Sequence, residues 1–268
     1  MTARVMGIVN VTPDSFSDGG LFVDPESAIA HGRRLAGEGA DILDVGGEST
    51  RPGAEPVAAA VEVERTRPVV EALAGEHGPG VPVSIDTSKA AVAEAALDAG
   101  AEIVNDVTAL RGDPELALLC GERDCGVVLM HMLGEPRTMQ DDPRYGDVVD
   151  DVKGFLVARI AAAFDAGIDE QQIWLDPGIG FGKTVEHNLE LIRRLGEVRE
   201  LGRPLVVGTS RKRFIGTLTG REVGDRLGGT IASGALAATQ GADVLRVHDV
   251  AATRDALRVV DAVLDRAG

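Results

Sequence analysis

Residues able to carry chemistry recur in this chain at one kind of place, directly after a short apolar, β-prone run. Asn10, Asp44, Glu48, Asp86, Asn105, Asp106, His131, Asp176, the stretch Ser210 to Arg213, Arg246 and His248 all stand there. A carboxylate accepts two parallel hydrogen bonds from a planar amidine-like edge, so Asp86 and Asp176 suit an aminopyrimidinone ring such as a pterin or guanine. The same pair suits acid and base roles in glycoside cleavage, and their separation cannot be read from the chain. Arg246 offers a planar cation for stacking on a heteroaromatic face, or an ion pair with Asp243 or Asp249. His248 lies two residues on, on the same side of an extended strand, where it can contact phosphate oxygens. Asp44, Asp106 and Ser210 serve equally well as helix caps.

The segment Asp176 to Thr184, DPGIGFGKT, ends like a phosphate-binding loop. That loop needs a glycine five residues before Gly182, and the residue there is Pro177, so an ATPase is excluded. The expected role of these glycines is a tight turn that lets backbone approach a ligand, with Thr184 capping the next helix.

The elements that must position these groups show in a repeated junction: an amphipathic stretch, then Gly-Ala, an acidic residue and a β-prone run. It occurs as GADILDV from Gly39, GAEIVNDV from Gly100 and GADVLRV from Gly241. Glycine suits a helix C′ position in left-handed backbone, and the apolar run suits a strand buried on both faces. Completing the pattern predicts strands at Val5 to Val9, Ile42 to Val45, Val83 to Ile85, Ile103 to Asn105, Val127 to Met130, Ile173 to Leu175, Leu205 to Gly208 and Val244 to Val247. Helical periodicity predicts core positions at Val92, Ala95, Ala96 and Ala99, at Leu189, Ile192 and Leu195, and at Leu257, Val260 and Leu264. Asp24 before Pro25, and Thr87 or Ser88 before the third helix, are predicted helix starts. Eight alternating units can lie open or close, and a spacing of roughly 30 residues without a long linker favours a single (β/α)8 barrel over residues 1–268, with its site at the carboxyl ends of the strands.

Composition sets the limits on partners. With 44% apolar and 26% charged residues the chain can bury a substantial core, and its formal charge of −16 repels nucleic acid phosphates and anionic membranes. An anionic small molecule needs a local cationic cluster, which Arg211, Lys212 and Arg213 supply. Cys120 and Cys125 form neither a CxxC pair nor a disulfide framework. No apolar run reaches the ~20 residues of a membrane span, and the first residues lack a leader pattern, so the expected location is the cytoplasm.

Taken together the motifs resemble the dihydropteroate synthases, pterin-binding enzymes of folate biosynthesis. The matching segments are MGIVNVTPDSFSDGG from Met6, DVGGESTRPGAEPV from Asp44, SIDTSKAAVAEAAL from Ser84, IVNDV from Ile103, MHMLGEPRTMQ from Met130, DPGIGFGKT from Asp176, GTSRKRFIG from Gly208 and RVHDV from Arg246. The resemblance implies a (β/α)8 fold and condensation of 6-hydroxymethyl-7,8-dihydropterin diphosphate with 4-aminobenzoate to 7,8-dihydropteroate and diphosphate, by a dissociative step. It implies catalytic roles for Asp86, Asp176, Lys212, Arg246 and His248. Asp86, Asn105, Asp176, Lys212, Arg246, His248 and Thr50 would bind the pterin diphosphate, and Asn10 would bind Mg²⁺. Thr50, Arg51, Pro52, Phe181, Lys212 and Arg213 would line the aminobenzoate side, although many members carry a small Ser where this chain has Arg213. The resemblance further implies a homodimer through the last helices, and the loops near Asp14 and Arg51 are expected to order over substrate. Two rival readings are a methyltetrahydrofolate:corrinoid methyltransferase on the same barrel, which has no need of the first-strand loop, SRK or RVH, and a non-catalytic pterin-binding paralogue, although no key position is lost.

Overall fold

Strands and helices alternate along the whole chain in the computed structural model, which describes residues 3–12, 24–50, 54–135 and 137–264. The strands are β1 (Arg4–Asn10), β2 (Ile42–Gly46), β3 (Val83–Asp86), β4 (Ile103–Asp106), β5 (Gly126–Met130), β6 (Ile173–Asp176), β7 (Val206–Val207) and β8 (Val244–Val247). The helices are α1 (Pro25–Gly37), α2 (Ala59–Ala74), α3 (Ala90–Asp98), α4 (Pro114–Glu122), α5 (Val148–Asp165), α6 (Val185–Arg193), α7 (Leu195–Arg199), α8 (Arg213–Thr219), α9 (Leu227–Thr239) and α10 (Val250–Val263).

All neighbouring strands run parallel, in the order β6-β5-β4-β3-β2-β1-β8-β7. The two outer strands meet through Leu175 and Leu205, which form a parallel bridge, and the Leu175 N–H donates to the Pro204 carbonyl at 2.9 Å. The sheet is therefore a (β/α)8 barrel, as the unit spacing predicts. The seventh strand is shorter than expected because regular pairing with β8 covers only Val206 and Val207.

The glycines of the three repeated junctions do what their position requires. Gly39, Gly100 and Gly241 have φ of 99°, 102° and 104°, values that a side chain would oppose. The acidic residue two positions on has a role that local pattern does not reveal. Asp41 accepts the Val5 N–H at 2.7 Å, and Asp243 accepts the Leu205 N–H at 2.8 Å. Each carboxylate thus ties the entry of its own strand to the neighbouring one.

Helix starts follow the predictions in part. Asp24 caps α1 by accepting from the N–H groups of Glu26 and Ser27, and Thr184 caps α6 by accepting from His187. At α3 the order differs: Thr87 accepts only the Lys89 N–H, while the Ala90 N–H goes to Asp113 on the next βα unit. Two predicted core positions lie outside: Leu189 and Leu264 are each 42% exposed. On α6 the buried face carries Asn188, Leu191 and Ile192 instead. Asn188 turns inward because its amide accepts the Gly180 N–H at 2.6 Å and donates to the Thr184 carbonyl at 2.6 Å. Among the described residues no helix is long and apolar enough to cross a membrane.

Asp243 also accepts the Arg4 N–H on its backbone carbonyl, so it sits where β7, β8 and β1 meet. Asp243→Ala is expected to lose ~1 kcal/mol, the low end for an orphaned buried donor because Asp243 is partly exposed. A urea unfolding midpoint equal to that of the parent chain would show that the seam does not depend on this carboxylate.

Candidate active site

The period of two along each strand explains how a polar site arises inside an apolar barrel. Met6, Ile42, Ile103, Val128, Val206 and Val244 pack together as a floor, with Trp174 against them. Two residues further along the same strands, on the same face, stand Ile8, Asp44, Asn105, Met130, Gly208, Arg246 and Asp176. The interior changes from apolar to charged within one layer.

Above that floor a pocket of about 340 Å³, part of it open to solvent, is lined by Thr50, Asp86, Asn105, Asp176, Phe181, Lys212 and Arg246 together with Val107, Met130, Ile179 and Gly208. Seven predicted site residues from six βα units thus share one cavity. Arg246 is the centre of its charge network. Its Nε donates to Asp44 at 2.5 Å and its Nη2 to Asp86 at 2.6 Å. The Asn105 amide donates to the same Asp44 oxygen at 3.1 Å. Asp44, whose residue type suits a helix cap equally well, caps no helix and serves the site. The signal was its place in β2, two residues after Ile42, which puts its side chain inside the barrel. Asp106, one residue beyond Asn105, does organise its loop, accepting from the N–H groups of Thr108 and Leu110.

Burial raises the Asp86 carboxyl to about 7, against the pull of Arg246 in the other direction. Burial also raises Asp176, whose Oδ1 accepts the Gly178 N–H at 2.7 Å, leaving the other oxygen to a ligand. Lys212 is brought down to about 8 by burial and then by the neighbouring Arg246 charge. Its Nζ stands 4.0 Å from the centre of the Phe181 ring, a cation over an aromatic face.

The glycine-rich segment is the expected tight turn: Gly178 has a φ of 66°, and a side chain there would begin 1.8 Å from the His131 carbonyl oxygen, so its backbone also packs closely on the neighbouring β5 loop. Lys183, the lysine of the GKT sequence, is buried and directed inward, 2.8 Å from His131 Nδ1 and 3.0 Å from the Phe181 carbonyl. Burial lowers Lys183 to about 7 and His131 to about 3, so His131 is a neutral acceptor. This pair sets the backbone of Phe181 and was not foreseen, since nothing local distinguishes Lys183 from a phosphate ligand.

The three consecutive bases after β7 diverge. Arg211 takes a left-handed φ of 58° and pairs with Asp249 at 2.7 Å. Arg226 donates to the carbonyl oxygens of Arg211 and Lys212, which sends Lys212 into the pocket. Arg213 opens α8 and is exposed, so the run forms no single cationic cluster and Arg213 is not among the lining residues. Glu48, just before Thr50, is held by Lys89, which also pairs with buried Glu62 at 2.5 Å. Arg51 and Pro52, and the loop around Asp14, lie outside the described residues.

Asn10 and His248, at the carboxyl ends of β1 and β8, flank the pocket without lining it. The His248 N–H donates to Ser210 Oγ at 3.2 Å, and the same oxygen is 2.9 Å from His248 Nδ1. When the Ser210 hydroxyl donates to Nδ1, the neutral ring carries its proton on Nε2, a donor suited to an anion. Ser210, also read as a cap, orients this ring.

A closed barrel with such a pocket at its strand ends has the build of a (β/α)8 enzyme acting on a small heterocyclic molecule. The model of the pterin binding enzyme family matches residues 6–248. Dihydropteroate synthase of Neisseria meningitidis serogroup C is 48% identical over 264 residues, covering 97% of this chain and 92% of that protein. The structure of Xanthomonas albilineans dihydropteroate synthase with 4-aminobenzoic acid is similar at a TM-score of 0.92 and 53% identity, over 98% of this chain and 93% of that one. The structure of the same enzyme in complex with 7,8-dihydropteroate is similar at a TM-score of 0.88 and 49% identity, over 98% and 94% of the two chains. The chain belongs to the dihydropteroate synthases of the pterin-binding enzyme family.

Ser210→Ala removes the hydroxyl partner of Nδ1, and the His248 ring is expected to pass from an Nε2–H tautomer to a mixture. Nitrogen-15 shifts of the ring report this directly; an unchanged Nε2–H tautomer in the variant would show that Ser210 does not set it.

Proposed function

We propose that this chain condenses 6-hydroxymethyl-7,8-dihydropterin diphosphate with 4-aminobenzoate, giving 7,8-dihydropteroate and diphosphate. The observation that carries this reading is the single pocket in which Asp86, Asn105, Asp176, Lys212 and Arg246 converge. Carboxylates and an amide match the donor-rich edge of a pterin, and Arg246 brings a planar cation to its face. Phe181 and Thr50 at the same pocket suit the aromatic amine.

The chemistry is one bond broken and one formed. The C–O bond from the pterin methylene to the diphosphate breaks, and its electron pair leaves with the diphosphate. The amine nitrogen of 4-aminobenzoate then gives its lone pair to the methylene carbon and releases a proton to solvent. Asp86 and Asp176 place negative charge beside the pterin ring as it becomes electron-poor, which lowers the barrier to a dissociative step. His248, as an Nε2–H donor, takes a diphosphate oxygen.

Asn10 would hold Mg²⁺ only together with the diphosphate. Among the described residues no group of three His, Cys, Asp or Glu side chains is placed to cage a metal, and an amide oxygen at a strand end fits a hard cation that retains waters and phosphate ligands. That ion would supply neutralisation of the leaving charge.

A homodimer through the last helices belongs to this reading. Leu236 of α9 is 57% exposed, and Val259 and Val263 of α10 are 64% and 77% exposed, on helices that pack side by side. This apolar exposure on adjacent helices supports that reading. Light scattering of the parent chain should give twice the chain mass, and Val259→Glu about one chain mass; a monomeric parent would overturn this.

The reaction is tested by assaying dihydropteroate and diphosphate with the purified chain and with Lys212→Ala, which should lose on the order of a hundredfold in rate. The pocket is competent with Asp86 ionised and Lys212 protonated. The rate at low pterin diphosphate should therefore fall as pH drops through about 7 and as it rises through about 8, and Lys212→Ala should lose the alkaline limb. No product from the folded parent chain would overturn the reading.

A further inference from the structure

Asp44 is fully buried and is not among the residues that line the pocket, yet it touches two that are. One of its oxygens takes both the Arg246 Nε at 2.5 Å and the Asn105 amide at 3.1 Å. Its other oxygen has no hydrogen-bond partner among the described residues. A buried carboxylate used on one side only is expensive to retain as a structural element, which points to a service performed for Arg246.

That service follows from the second contact of Arg246. Its Nη2 donates to Asp86 Oδ2 at 2.6 Å, so the guanidinium and an incoming pterin compete for the same carboxylate. Asp86 offers both oxygens to a pterin edge, with neither shared with the guanidinium, only when Arg246 turns away. A buried guanidinium released from its sole carboxylate would be left uncompensated, and the exchange would be blocked. Asp44 removes the block, because it holds the Nε edge whichever partner the Nη edge has. The guanidinium can then turn about Nε, off Asp86 and onto the ring face. Lys212 and Asp176, the other charged groups of the pocket, do not hydrogen-bond Arg246 and cannot replace this hold.

We propose that Asp44 is a positioning residue, a buried pivot that keeps Arg246 by its Nε edge while Asp86 passes from Arg246 to the pterin. This rests on the reading of the pocket as a pterin site. With Asn at position 44 the guanidinium keeps an acceptor at Nε but has Asp86 as its one remaining carboxylate, so that pair tightens and the pterin competes less well.

The experiment is a double-mutant cycle with Asp44→Asn, Arg246→Met and both together, titrating 6-hydroxymethylpterin by calorimetry and following the pterin diphosphate rate. Asp44→Asn is expected to weaken pterin binding about tenfold and to raise KM for the pterin diphosphate more than it lowers kcat. The double variant should bind pterin no more weakly than Arg246→Met alone, since position 44 then has no guanidinium to hold and its remaining Asn105 contact can be kept by the carbonyl oxygen of the substituted Asn. Losses that simply add, or an Asp44→Asn chain that binds like the parent, would overturn the pivot. Should Asp44→Asn fail to fold, comparing the double variant with Arg246→Met still decides, because the double variant removes a buried charge together with its partner. A parent chain that does not bind 6-hydroxymethylpterin at all overturns the pterin reading and this inference with it, an outcome distinct from additive losses in a parent chain that binds.

Discussion

The site depends on keeping one guanidinium charged inside a barrel. Arg246 stands directly above an apolar floor, with Asp44 and Asp86 as its carboxylate partners. Burial works against the charged form of every group in this cluster, and their mutual attraction offsets it only in good geometry. The result is a poised set: Asp86 is carried up to about 7 and Lys212 down to about 8, while Arg246 is held well above its usual range by its carboxylates despite its burial. A ligand with a donor-rich edge can enter such a set by exchange, replacing one hydrogen bond with another without exposing a bare charge.

The rest of the barrel serves this cluster by fixing loops from behind. Arg226 grips the carbonyl oxygens of Arg211 and Lys212, and the Arg211–Asp249 pair anchors the left-handed residue between β7 and α8. Lys183 and His131 brace the backbone of Phe181. Lys89 and buried Glu62 hold Glu48, two residues before Thr50. In each case a charged side chain outside the pocket determines where a pocket residue points, a division of labour that catalytic precision requires.

Much of this was legible in the chain, for reasons that can be stated residue by residue. The C′ glycines Gly39, Gly100 and Gly241 are readable because left-handed backbone excludes most other residues. The strands follow from their apolar runs, and the polar residue at each strand end stands out against them. That is why Asp86, Asn105, Asp176, Lys212 and Arg246 could be named and were found together. Leu189 and Leu264 were misplaced because periodicity gives a helix a face but not its partner: Asn188 turned α6 by hydrogen bonds to Gly180 and Thr184, and the outer face of α10 is itself apolar.

The sequence by itself determined the eight units, their junctions and the polar strand ends that enter the pocket, since these rest on period, turn chemistry and residue type, all of them local. Only the tertiary structure decided which groups face one another. Asp44 and Arg246 are 202 residues apart, and closure of the barrel alone brings β2 and β8 to opposite flanks of β1. The same closure made Asp44 a partner of Arg246 instead of a cap, set the His248 ring against Ser210, and sent three adjacent bases in three directions. Hydrogen-bond partners and charge compensation are properties of the space a side chain occupies, and that space is defined only once distant strands have been joined.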